Sequence, residues 1–192
     1  MSKLTYGIGR NSKRRHKAWV GGKRTLAYAA WHSMLERCYS PKCQMKRPTY
    51  IGCTVASVWH DFQDFADWFE GHKYSNCGYQ LDKDLLAPNN KIYSPKTCCF
   101  VPSELNSLLI NSAAARGKYP QGVHLHKSVR KYASQLKING HKKHLGYFDC
   151  PNEAYQAYKT AKEAHVKVMA LEWRDRIAPE VFDALMKWEL IS

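Results

Sequence analysis

Asn139-Gly140 follows a segment, 131–138, whose side chains alternate between two faces, and this pattern constrains the fold more than any other feature of the chain. A two-residue connection between strands needs left-handed backbone at both positions, which Asn and Gly tolerate best. Residues 131–138 then place Tyr132, Ser134, Leu136 and Ile138 on one face, and Ala133, Gln135 and Lys137 on the other. Residues 141–148 return as the partner strand, and residues 122–127 supply a third. Pro151 opens a helix expected over 152–171, with Ala154, Tyr158, Ala161, His165 and Val168 forming a stripe that can cover the sheet. A last helix, 179–188, is expected to pack back through Val181, Phe182, Leu185 and Trp188.

Side-chain parity then describes the uncovered face. With Val123 and Leu125 turned under the helix, His124 and His126 point outward. With Leu136 inward, Gln135 and Lys137 point outward, and with Leu145 and Tyr147 inward, so do Lys142 and His144. Such a face can lie in a major groove, Lys reaching phosphate or guanine and Gln reaching adenine. It also suits a sheet that merely faces water.

Charge separates these two readings. The 192 residues carry 30 Lys and Arg against 16 Asp and Glu, a net of +14. Residues 1–24 hold Lys3, Arg10, Lys13, Arg14, Arg15, Lys17, Lys23 and Arg24 without one acid. Residues 116–146 repeat this with Arg116, Lys118, Lys127, Arg130, Lys131, Lys137, Lys142 and Lys143. A solubilising surface mixes both signs, whereas a phosphate-binding one keeps its cations undiluted. Duplex DNA is therefore the expected partner. Neither segment reads as a basic amphipathic helix, no apolar run is long enough to span a bilayer, and no secretory signal is apparent. A cytoplasmic location follows. Seven cysteines, an odd number, argue for reduced thiols. Cys38 and Cys43 can supply zinc ligands together with Cys53, Cys77, Cys98 or Cys99, but no paired CxxC occurs, and the spacing favours buried thiols over structural zinc.

The N-terminal part reads differently. After a loosely ordered basic arm, 1–24, a helix over 25–39 carries a stripe of Tyr28, Trp31, Leu35 and Cys38. Residues 40–52 are turn-rich. A second helix, 57–70, aligns Val58, Phe62, Phe65 and Phe69, with Trp59 and Trp68 beside them. A strand over 79–84, a turn at 87–90 and a returning strand over 91–94 and 98–101 make a hairpin, and a helix begins at Pro102-Ser103. The small, basic stretch 112–120 is the expected linker. The chain is thus read as α+β, with an arm (1–24), a hairpin-and-helix module (25–111), the linker (112–120) and a three-stranded antiparallel sheet with packed helix (121–192).

Residues 122–165 resemble the DNA-binding domain of the APETALA-two/ethylene-response-factor type, which also occurs in phage and bacterial nucleases. The likeness rests on Gly122-Val123, on Tyr132 to Lys137, on Leu145-Gly146-Tyr147-Phe148-Asp149, and on Asn152-Glu153-Ala154 with Ala157-Tyr158. It implies that Gln121, His124, His126, Gln135, Lys137, Lys142 and His144 occupy the family's groove-reading positions; phosphate contacts are expected from the basic arm and from Arg116, Lys118, Arg130 and Lys131. His and Lys stand where that family has Arg, and Gln135 stands where it has Glu. Charged imidazoles would strengthen binding below neutral pH; neutral ones would donate one hydrogen bond each.

Residues 79–109, with WHSMLERCY and VWHDFQDFADW before them, resemble the core of HNH endonucleases, particularly phage and homing types. In that core an Asp-His pair activates water, an Asn orients the His, and a divalent metal such as magnesium stabilises the leaving oxygen. Here Asp82 matches the Asp, Lys83 replaces the His, Thr97 stands at the Asn position, and Asn106 matches a polar helix position. Asp82 and Asp84 can share a metal ion; they can equally cap a turn and pair with Lys83 or Lys91. The resemblance implies a metal-dependent hydrolase cutting phosphodiester bonds in host-cell cytoplasm. The competing implication is a catalytically degenerate DNA-binding or protein-binding regulator, such as an inhibitor of host defence docking on a DNA-processing protein.

Overall fold

Helical spacing of large aromatics builds the core of the N-terminal half. In the computed structural model, which describes residues 4–12, 15–110 and 118–190, α1 (Leu26–Tyr39) runs into a short α2 (Pro41–Lys46), and α1 packs on α3 (Phe62–Gly71). Trp31, Met34, Leu35, Trp59, Phe62 and Phe65 are fully buried between these elements. Each such side chain contributes roughly 1.5–3 kcal/mol by leaving water. The one polar atom of Trp31 is satisfied: its Nε1 donates to the Trp59 carbonyl at 2.8 Å. Thr25 caps α1 by accepting from Tyr28 N, and Asp61 caps α3 by accepting from Gln63 N.

Two sequence readings need correction here. Residues 41–46 are helical rather than a turn, because Ser40 caps them and Pro41 occupies the first turn, where its missing N–H is harmless. The helix expected from 57 is broken: a 3-10 turn, Ser57–Trp59, precedes the Asp61 cap. The break leaves Val58 52% exposed and turns Trp59 into the core.

Small strand pairs frame this core. β1 (Trp19–Val20) and β2 (Lys23–Arg24) form a minimal hairpin. β3 (Thr54–Val55) pairs in parallel with β5 (Ile92–Tyr93), while β4 (Gln80–Asp82) pairs antiparallel with β6 (Cys99–Val101), and α4 (Ser103–Leu109) follows. The single returning strand expected over 91–94 and 98–101 is therefore two, since residues 92–93 leave the hairpin for a distant parallel partner. Burial pushes the Cys38 and Cys98 thiols up to about 12, so they sit in this core as neutral thiols.

The C-terminal sheet has the order β7 (Val123–His126), β8 (Lys131–Ile138), β9 (His141–Phe148), all antiparallel. Asn139 and Gly140 take φ of 50° and 83°, the left-handed turn their identities demand. α5 (Pro151–Trp173) lies across the sheet, with Leu136 and Tyr158 buried together and Ile138, Leu145 and Ala161 packed on them. The buried row of α5 is Ala154, Tyr158, Lys162, Val166 and Ala170, not the expected Ala161, His165 and Val168. Steps of four residues advance by 400°, so a contact row along an i+4 ridge drifts away from an i+3/i+4 average. Val168 consequently ends 51% exposed. Gly122 opens β7 at φ 77°, where a Cβ would lie 2.0 Å from the Tyr158 ring, so only glycine lets the strand enter beneath α5.

Of the described residues, those up to Ser103 together with Ile177–Val181 form one compact unit, and Glu104–Arg176 with those from Phe182 onward form a second. α6 (Pro179–Met186) carries the buried Val181 and Leu185. The expected linker is described only at 118–120. Among the described residues no helix is long and apolar enough to cross a membrane.

Candidate nucleic-acid interface

Strand register decides which side chains share the face away from α5. His124 pairs with Ala133, His126 with Lys131, Gln135 with His144 and Lys137 with Lys142, so all eight lie on one side of the sheet. None of the eight is an acid, and Asp149 lies against Lys131 at the edge of the face. Gln135 Nε2 comes within 3.5 Å of His124 Nε2, which ties the first two strands across the face.

Tyr147 belongs to this face too, contrary to the inward position that strict alternation assigns it. The register shifts between Ser134 and Gln135: Ser134 pairs with Gly146, yet Gln135 pairs with His144, leaving Leu145 as an extra residue. This is a β-bulge, and every side chain beyond it changes sides. Gly146, at φ 143°, accommodates the kink. Tyr147 therefore lies opposite Ala133, with its ring 4.5 Å from that of His144 and 5.3 Å from that of His126. The Leu-Gly-Tyr step carries the only sequence signal for this, a glycine inside a strand.

The remaining positions expected on DNA divide. Arg130 and Lys118 are exposed. Arg130 sits in the β7–β8 turn at φ 57°, its N–H donating to His126 O at 2.8 Å. Lys131 pairs with Asp149 at 3.1 Å, a surface contact of small worth that phosphate can displace. Gln121 is not presented: its side-chain oxygen is buried without a hydrogen-bond partner. Arg116 lies outside the described residues. A shallow depression of about 260 Å³, lined by His124, Gln135, Lys137 and Lys142 among others, marks the middle of the face. That is below the usual range for small-molecule pockets, roughly 300–1,000 Å³. Three strands about 4.8 Å apart make a surface about 10 Å wide, which suits a major groove about 12 Å across.

The N-terminal arm is less available than its composition suggests. Gln63, fully buried, accepts from Arg15 N and His16 N at 2.8 Å each and donates to Asn11 Oδ1 at 2.8 Å and His16 O at 3.0 Å. Arg10 pairs with Asp61 at 3.4 Å, Arg15 with Asp67, and His16 lies between Asp67 at 2.8 Å and Glu70 at 3.1 Å. Residues 10–16, as far as described, are stitched to α3, so Arg10 and Arg15 are matched by carboxylates that local composition cannot reveal. Lys3, Lys13 and Arg14 lie outside the described residues.

The segment from β4 to β6 holds its polar groups together, in structural roles. Lys83 is 4% exposed; its Nζ lies 2.5 Å from Asp84 Oδ1, donates to Asn90 O at 2.8 Å and sits 5.7 Å from the centre of the Tyr93 ring. Two of its donors are thus engaged within the hairpin, beside an aromatic face. Asp82 Oδ1 accepts from Asp84 N at 2.8 Å and Leu85 N at 2.7 Å, capping the bend that ends β4. Burial holds its carboxyl above the usual range despite these two amides. Strand β4 ends at Asp82, so Asp82 and Asp84 are not neighbours on one strand face as expected. With one engaged by amides and the other by Lys83, they do not fit a shared divalent ion. Among the described residues no three His, Cys, Asp or Glu gather as a metal-holding group. Thr97 Oγ1 donates to Ile92 O at 2.9 Å and closes the turn with Ser94. Asn106 is half-buried on α4. Asn90, absent from the expected site, is the clamp of this hairpin: its side chain donates to Lys83 O and Ile92 O and accepts from Ile92 N.

Comparison of the chain with protein-family models, with curated proteins and with solved structures finds no match.

Proposed function

We propose that the protein binds duplex DNA by laying the β7–β8–β9 face in the major groove, and that its nuclease-like hairpin serves as a frame rather than a cleaving centre. The observation that carries this reading is the Lys137–Lys142 pair, two cations directly opposite on the face away from α5. Like charges so placed destabilise a sheet unless an anion lies against them. Lys137 and Lys142 would meet phosphates or guanine, Gln135 would reach adenine, and Tyr147 with its flanking His would fill the groove between them. Arg130 and Lys118 would hold the backbone and so set register without reading sequence. The engagement of Lys83, Asp82 and Asp84 inside the hairpin supports binding without hydrolysis. A protein with these properties acts as a regulator or competitor of DNA-processing proteins.

Incubation with supercoiled plasmid and labelled duplex, with magnesium and with chelator, tests both halves. Salt-sensitive binding with no nicking in either buffer is expected. Magnesium-dependent nicking lost in Asp82→Ala would overturn the second half, and absence of binding at low salt would overturn the first.

A further inference from the structure

The β1–β2 finger has no role in the duplex contact above, yet it has the composition of a stacking platform. Its sequence, Lys17 to Arg24, holds three cations, a Trp and no acid. Gly21 and Gly22 form the tip at φ 57° and 74°, and the strands pair Trp19 with Arg24 and Val20 with Lys23. Trp19 is 53% exposed and Val20 61%, a poor use of apolar side chains unless something covers them. The indole is also held in place. The Arg24 guanidinium lies 5.5 Å from its ring centre and 5.9 Å from that of Tyr28, and Tyr28 leans on His32, which leans on Tyr6. A cation fixed beside an exposed aromatic, with further Lys at either end, matches anionic, planar ligands in both charge and shape. Paired bases in a continuous duplex hide their faces; an unpaired base offers one.

We infer that the β1–β2 finger is a second nucleic-acid site, which stacks an unpaired DNA base on Trp19 while Lys17, Lys23 and Arg24 hold the adjoining phosphates. The inference deepens the DNA-binding reading and rests on it for the identity of the polymer. Base–aromatic stacking typically changes affinity on the order of ten-fold or more per base.

The test measures affinity of the full chain for a fully paired labelled duplex and for the same duplex bearing a short single-stranded flap. Wild type is expected to prefer the flap on the order of ten-fold. Trp19→Ala should bring the ratio of the two affinities to about one, and Trp19→Phe, which keeps a ring, should retain most of the preference. Because Trp19 is exposed, both variants should melt with the wild type, which a thermal scan verifies. No flap preference in wild type, or a preference that survives in Trp19→Ala, would overturn the finger site. Flap binding lost with Trp19 in a chain that ignores paired duplex would uphold the finger and refute the sheet reading instead.

Discussion

Lys137 and Lys142 face each other across adjacent strands, and their mutual repulsion is a cost to the fold. Replacing one by the opposite charge separates stability from function. Lys142→Glu should raise stability by about 0.5 kcal/mol, since the cross-strand pair becomes attractive. The same change should weaken duplex binding and lower the magnitude of its salt slope by about one or more. Thermal melting and fluorescence anisotropy on one variant measure both. A lysine pair without a ligand would show the first effect alone. Asp82 gives a second prediction at this scale. Burial holds its folded-state pKa above the unfolded value, so its ionised form costs stability. That cost is fully present above the folded-state pKa and is relieved as pH falls through it towards the unfolded one. Asp82→Asn keeps an acceptor for the two amides and removes the charge. Urea denaturation at pH 7 should find it at least as stable as wild type, by up to about 1 kcal/mol, with the advantage shrinking in acid. A large loss of stability would mean that the charge itself is needed.

At the scale of elements, the seam between the arm and α3 depends on one buried amide. Gln63→Leu fits the space but strands the N–H groups of Arg15 and His16. It should cost about 2–3 kcal/mol and speed proteolysis of the arm, whereas DNA binding through the sheet should persist. Equal protease resistance in mutant and wild type would show that the arm is held by other contacts. The same seam marks the limit of what local sequence shows. Elements defined by their own periodicity were legible: α1, the three strands of the C-terminal sheet, their Asn139-Gly140 turn and most of the sheet's outward face follow from spacing alone. What was not legible is set by partners far along the chain. β5 reads as part of a hairpin until β3 is present to pair with it, and an acid-free arm reads as loose until Asp61, Asp67 and Glu70 close on it from α3. Tyr147 was misplaced because one extra residue in a strand reverses parity, whereas the pairing of Asp84 with Lys83 is one of the two arrangements the spacing allows.

Over the whole molecule, a net charge of +14 is not spread evenly in effect. Arg10, Arg15 and His16 are matched by carboxylates, while among the described residues Lys137, Lys142, Arg130 and Lys118 form no ion pair. Binding should therefore follow the C-terminal sheet and not net charge as such. The most direct measurement compares wild type, Lys137→Glu/Lys142→Glu and a control with two charge reversals at Lys42 and Lys46, in duplex-binding titrations over a salt series. All three proteins are read by anisotropy, and the two mutants carry the same net charge. The sheet variant should lose affinity steeply, on the order of a hundred-fold or more at low salt, with a flatter salt slope, while the control stays within a few-fold of wild type. Equal losses in both mutants would contradict a groove-binding face and leave only nonspecific attraction between a basic chain and a polyanion.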